Sequence, residues 1–222
     1  MGRTNAAAAS PAPAPKGARP VYQTRSREQR DRLLKAGERV FAEGGFWQAH
    51  VADIAKRAGC SVGSFYRRFE DKEAFFFALQ SYMAERAEEN LAAFFRDPSC
   101  DTDPLDRVMR RLVANSARTI RRIEGYFRAL FELGLRGQAV WPSMRRLESF
   151  EADQFLALLE RRGLTAPPGL HDRARLAVRM MHGQLISHLL HGPGPFEFDD
   201  PAFLDELALM LMRYLGFEQL QD

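Results

Sequence analysis

Apolar residues recur along this chain at spacings of three and four and nowhere alternate over a useful length, so the pattern predicts an all-α fold. The first helix opens near Ser26, where Ser26 and Gln29 fit a capping box. Leu33, Leu34, Ala36, Val40 and Phe41 line its apolar side until Gly44-Gly45 stops it. Val51, Ile54, Ala55 and Ala58 mark a short second helix, closed by Gly59-Cys60 because glycine is the least strained residue at a left-handed C-cap. Ser61 caps a third helix reaching about Phe69, and a long helix runs from near Asp71 to about Phe95. Asp103 as a cap, followed by Pro104 at the first helical position, opens the next, to about Ile123. Tyr126 to Leu135, Trp141 to Arg162, His171 or Asp172 to about Leu190, and Asp200-Pro201 to about Leu215 complete about nine helices. Gly163, the run Pro167-Pro168-Gly169 and the breaker HGPGP after Leu190 separate the later ones.

The residues before the first helix change the picture. Residues 1–22 form an Ala/Pro-rich tail (SPAPAPKGARP) that cannot bury much apolar surface, and it is expected to be disordered. The rest divides into a helical head, 23–72, and a helical body, 73–222. No stretch is long and apolar enough to span a bilayer, and the tail lacks the apolar run of a secretory signal, so a cytoplasmic protein with no membrane partner is expected. Cys60 and Cys100 are too few for a disulfide framework or a zinc site.

The net charge of +3 is unevenly placed. Residues 1–72 carry 14 Lys and Arg against 7 Asp and Glu, and the remainder 18 against 22, so a basic N-terminal third (+7) sits on a mildly acidic body (−4). That asymmetry suits a nucleic-acid-binding head, although a basic segment is more often a solvated surface.

The second and third helices, joined by Ala58-Gly59-Cys60-Ser61, have the proportions of a helix-turn-helix, in which the second member enters a major groove. In SVGSFYRRF (61–69) the N-terminal end is small or polar, while Phe65 and Phe69 lie four apart on the core side. A small end lets backbone approach base edges, and hydroxyls and cations beside it suit phosphate oxygens. The run from Leu33 through Phe76, with FAEGGFWQAHVADIAKRAGCSVGSFYRRFEDKEAFF as its larger part, resembles the DNA-binding domain of the TetR family of transcriptional regulators. The points of resemblance are Phe41, Gly45-Phe46, Val51, Asp53-Ile54-Ala55, Ala58-Gly59, Ser61, Gly63, Tyr66, Phe69 and Lys72-Glu73.

The resemblance implies roles. Val62, Gly63, Ser64 and Arg67 would face base edges, with Ser61 at the helix start. Tyr66 and Lys72 would hold phosphates, and the start of the second helix near His50 would meet one through its backbone N–H groups. Family members usually carry Thr or Ser there, whereas this chain has Ala49-His50. Arg25 and Arg27, with Arg30 and Arg32, form an arm of the kind that reaches a minor groove. Cys60 stands where a small apolar residue is usual and is expected to be buried, which argues against a redox role. Other readings stay open: Tyr66 as a half-buried packing residue, and Arg67-Arg68 as a solvated face.

One such head reads few base pairs, so two copies on a palindrome with half-sites roughly 34–36 Å apart are expected. The last two helices offer the dimer surface, by way of Met181, Leu185, Leu189, Leu207, Leu211 and Tyr214, since a terminal helix apolar nearly all round needs cover on both sides. The family's four-helix dimer contact would use Gly183 and Ser187 for close approach; a core helix within a monomer is the alternative. The resemblance also implies a small-molecule effector, apolar or amphipathic, in a cavity of the body. Phe127, Phe131, Trp141 and Phe150 are candidates to line it and His182 and Gln184 to orient the ligand, although aromatics at helical spacing are more often core. His182, His188 and His191 lack partners at metal-binding spacing, and neither a metal nor a cofactor is expected. No G-x-S-x-G, P-loop, H-E-x-x-H or dinucleotide fingerprint is present, so no enzyme is expected. The reading is a homodimeric repressor released from its operator by a ligand. The alternatives are a sequence-indifferent nucleoid-type DNA binder, and a helical carrier or enzyme with a vestigial head.

Overall fold

The computed structural model describes residues 24–164, 167–192 and 194–217, and the Ala/Pro-rich tail of 1–22 lies outside them. Ten α-helices make up the described regular structure: α1 (Thr24–Gln48), α2 (Val51–Arg57), α3 (Val62–Tyr66), α4 (Lys72–Arg96), α5 (Ser99–Thr102), α6 (Leu105–Arg122), α7 (Glu124–Leu135), α8 (Trp141–Arg161), α9 (Leu170–His191) and α10 (Pro201–Leu215). The all-α expectation holds, with α5, a single turn, as the element not foreseen. Among the described residues no helix is long and apolar enough to cross a membrane.

Local chemistry explains the boundaries. Gly45, with φ 68° and ψ −165°, breaks the α1 ladder where the glycine pair predicted a stop, and Phe46 to Gln48 add one more turn beyond it. Gly59 takes φ 66°, and the Cys60 N–H returns to the Ala55 carbonyl at 3.0 Å, closing α2. Ser61 caps α3 as expected, accepting from the Ser64 N–H at 3.2 Å. Asp71 does the same for α4 from Ala74 at 2.7 Å, and Asp200 for α10 from Ala202 at 2.9 Å.

Two expected caps fail. α1 begins at Thr24, so Ser26 lies inside its first turn and accepts from Arg68 Nη2 at 3.2 Å instead of capping. Asp103 leaves the start of α6 to Pro104 and pairs with Arg107 and Arg111. α3 also ends at Tyr66 rather than Phe69, its last turn tightening as the Arg68 N–H reaches only three residues back to Phe65.

In the head, Phe41, Phe46, Phe65, Phe69, Phe75 and Phe76 form one buried cluster of stacked and edge-on rings contributed by α1, α4 and the α3 segment. Each buried aromatic of this kind contributes about 1.5–3 kcal/mol. α1 also runs along α7, closely enough that a Cβ on Gly125 would collide with the backbone carbonyls of Phe41 and Ala42. α4 continues from the head into the body, where it packs on α8, and α6, α9 and α10 close the core.

Candidate nucleic-acid interface and interior cavity

The α2–turn–α3 unit is held by its back. Ile54, Phe65 and Phe69 are fully buried, and Arg57 grips Glu43 of α1 with both terminal nitrogens at 2.6 Å. The Arg57 guanidinium holds the Glu43 carboxyl below its ordinary pKa. Val62 and Tyr66 stand 41% and 47% exposed, large apolar groups left in water beside exposed Ser61, Gly63 and Arg67. A Cβ at Gly63 would meet nothing nearer than Ser61 Oγ at 3.9 Å, so the space in front of it is open.

The remaining head positions fall differently from expectation. Ser64 is 7% exposed and set back from this face; its Oγ accepts from Arg67 Nη2 at 2.6 Å and lies 3.1 Å from Ser61 Oγ. It therefore holds Arg67 rather than standing on this exposed face itself. Arg68 turns inward, donating to the Ser64 carbonyl and to Ser26 Oγ, which separates it from Arg67. Lys72 is also drawn in: Nζ donates to the Phe46 carbonyl at 2.8 Å and lies 4.3 Å from the centre of the Phe46 ring. Burial lowers its pKa, against the charge of Glu132. His50 is exposed at the start of α2 and its imidazole makes no capping bond. Arg27 is exposed on the first turn of α1, and the Arg25 side chain lies outside the described residues. Cys60, expected to be buried, is only partly so.

In the body, a cavity of about 140 Å³ lies between α4, α6, α7, α8 and α9, with Glu38 of α1 at its edge. A neighbouring groove of about 430 Å³ shares Met144, His182 and Ile186 with it and reaches Gly183, Ser187 and His191 on α9. Phe127 lines the cavity, Phe131 and Trp141 the groove, and His182 both. Phe150, partly buried, and Gln184, exposed, line neither: helical rotation carries Gln184 to the outer side of α9.

Sequence reasoning missed Glu151, which is 0% exposed and lines the cavity. The signal was available, because Glu151 follows Leu147 by four and precedes Phe155 by four, a carboxylate within the apolar stripe of α8. His182 Nε2 lies 2.9 Å from Glu151 Oε2, an ion-pair contact rather than an aligned hydrogen bond. Burial pushes the His182 imidazole down, but the carboxylates of Glu151 and Glu148 outweigh it and leave the pKa raised. Glu148 itself accepts from Arg179 Nε at 3.1 Å. Burial also raises the Tyr126 phenol, opposed by its bond to Gln80.

The expected dimer residues are placed otherwise. Met181, Leu185, Leu189, Leu207 and Leu211 are buried inside the single chain, and Tyr214 is partly buried. α9 and α10 pack these side chains against each other and against α6, so they are core. Leu176, Leu209 and Met210 remain outside, at 47%, 38% and 42% exposure.

Residues 33–79, the segment that builds the head, match the family described as bacterial regulatory proteins, tetR family. The chain is 34% identical over 80 residues to the uncharacterised HTH-type transcriptional regulator YdgC of Bacillus subtilis, covering 36% of this chain and 41% of that protein. It is 34% identical over 89 residues to the HTH-type transcriptional repressor Rv1474c of Mycobacterium tuberculosis, covering 38% of this chain and 48% of the relative. The chain thus matches less than half the length of either relative. The fold is shared more widely: a TetR-family regulator from Mesorhizobium loti superposes with a TM-score of 0.67 at 19% identity, over 87% of this chain and 98% of that one. The head, residues 33–79, thus matches the tetR family of bacterial regulatory proteins in sequence, and the described helices share the fold of TetR-family regulators.

Proposed function

We propose that the protein is a cytoplasmic, homodimeric transcriptional repressor that binds a palindromic operator through α3 and leaves it when a small molecule occupies the cavity of the body. The observation that carries this reading is the face of α3. Val62, Gly63, Tyr66 and Arg67 are open to solvent while Phe65 and Phe69 anchor the helix from behind. In a monomer nothing rewards exposing Val62 and Tyr66; against DNA, the methyls of Val62 suit a thymine methyl and the Tyr66 hydroxyl a phosphate. Arg67, braced by Ser64, is the base reader, with Ser61 and the start of α2 at His50 beside phosphates and Arg27 on the flanking backbone. Lys72 and Ser64 serve this face by positioning, Lys72 through the Phe46 carbonyl.

The cavity supports the second half. Its wall includes Gln80, Met83, Ala84, Ala87, Asn90 and Leu91 of α4, and the first residue of α4 is Lys72 of the head. A ligand that fits one tilt of α4 better than another biases the spacing of two heads by that difference in affinity and by no more. The two copies meet through Leu176, Gly183 and Ser187 on α9 and Leu209 and Met210 on α10.

The test is a competition between the DNA upstream of the gene for this chain and random DNA, at fixed salt. A regulator should prefer its own upstream DNA by about a thousandfold or more. Arg67→Ala should lower that preference by about 1–3 kcal/mol and leave random DNA little affected. Equal binding to both DNAs by the parent protein would favour the sequence-indifferent reading.

A further inference from the structure

We propose that the cavity takes a compact organic cation, an apolar ring bearing a protonated amine or amidinium whose N–H groups donate to Glu151. This rests on reading the cavity as the effector site and names the class of effector.

Glu151 is wholly buried, and its Oε1 has no hydrogen-bond partner among the described residues; nor has Nδ1 of His182. Buried carboxylates are ordinarily held by several donors, and one left short has an unfilled demand that a donating ligand meets. The protein's own basic groups meet it only in part. Arg86 is paired with Glu38 at 2.8 Å, Arg179 is bonded to Glu148, and Arg122 is exposed at the rim. Among the described residues His182 alone pairs with Glu151, and only at Oε2.

The rest of the wall suits the remainder of such a molecule. Leu91, Ile120, Ile123 and Met144 supply apolar surface, and Tyr126 and Phe127 supply aromatic faces that attract a cation. Gln80 also stands in the wall, but its amide nitrogen donates to the Val140 carbonyl at 2.7 Å and it makes no bond to Glu151. A volume of about 140 Å³ is near the room one aromatic ring needs. An anionic ligand would place its charge beside a buried carboxylate. A neutral alcohol would satisfy one bond without the charge. The cation gains both.

The experiment uses the whole protein and three probes alike in their ring and different at the head: 2-phenylethylammonium, 2-phenylethanol and 3-phenylpropanoate, titrated calorimetrically. The ammonium should bind tighter than the alcohol by about tenfold or more, with the propanoate weakest. Glu151→Gln, checked for an intact melting transition, should bring the ammonium to the level of the alcohol. The comparison of probes on the unmutated chain stands even if that variant does not fold. Equal affinity for all three, preference for the propanoate, or no binding by any of them overturns the proposal. Release of DNA is read separately. A cation that binds Glu151 without displacing DNA supports this inference and defeats the effector reading, whereas ring binding that displaces DNA without head-group preference does the reverse.

Discussion

Gly63 shows how much one missing methyl group decides. In the free protein the space before it is empty, its φ is not in the left-handed region, and a side chain there strains nothing. Replacing a glycine inside a helix gains up to about 1 kcal/mol. Gly63→Leu should therefore melt no lower than the parent, while binding of upstream DNA, followed by fluorescence anisotropy, falls by at least about tenfold, the worth of one lost base contact. Unchanged DNA affinity would remove Gly63 from the interface. His182 gives a second test at this scale. A histidine whose pKa rises on folding stabilises the native state fully below the unfolded value of about 6.5, and that contribution is lost as pH climbs through the folded value. Thermal unfolding of the parent should accordingly weaken with pH from about 6 upward more than that of His182→Gln. Identical pH profiles would mean the pair with Glu151 contributes nothing to folding.

At the scale of elements, most helices were legible because their apolar spacing and caps are local. Asp71, Ser61 and Asp200 sit where a cap must sit, and each caps. Ser26 misled for the opposite reason: its partner is Arg68, 42 residues away, and no local pattern announces that bond. The inner and outer sides of α9 and α10 were confused because both carry apolar residues; only packing against α6 decides that Leu185 and Leu211 point inward and Leu209 and Met210 outward. The aromatics of the body drew the eye towards Phe150, while the telling residue was Glu151, a charge in an apolar stripe. The contact of α1 with α7 was invisible in periodicity, since it depends on Gly125 having no side chain where two backbones meet. Gly125→Ala should destabilise the protein by about 1–3 kcal/mol in urea unfolding, towards the upper end because the colliding atoms are backbone. A loss below about 0.5 kcal/mol, the level of an ordinary surface substitution, would show that the two helices can part without penalty.

For the whole molecule, the proposed seam for a second copy is made of Leu176, Leu209 and Met210, all of them exposed. Leu209→Glu with Met210→Glu should leave helix content unchanged, since both residues are already in water, yet convert a dimer to a monomer in sedimentation velocity. A parent protein that sediments as a monomer at micromolar concentration would refute the seam. The α1–α7 contact then carries a mechanical consequence. The head is fastened to the body twice, once where α4 runs on from it and once where α1 lies against Gly125. An object pinned at one place swivels freely; pinned at two, it can only rock about the line through both pins. Under the proposed function, whatever fills the interior would have a single axle to turn, and loosening either pin would let the head wander rather than switch.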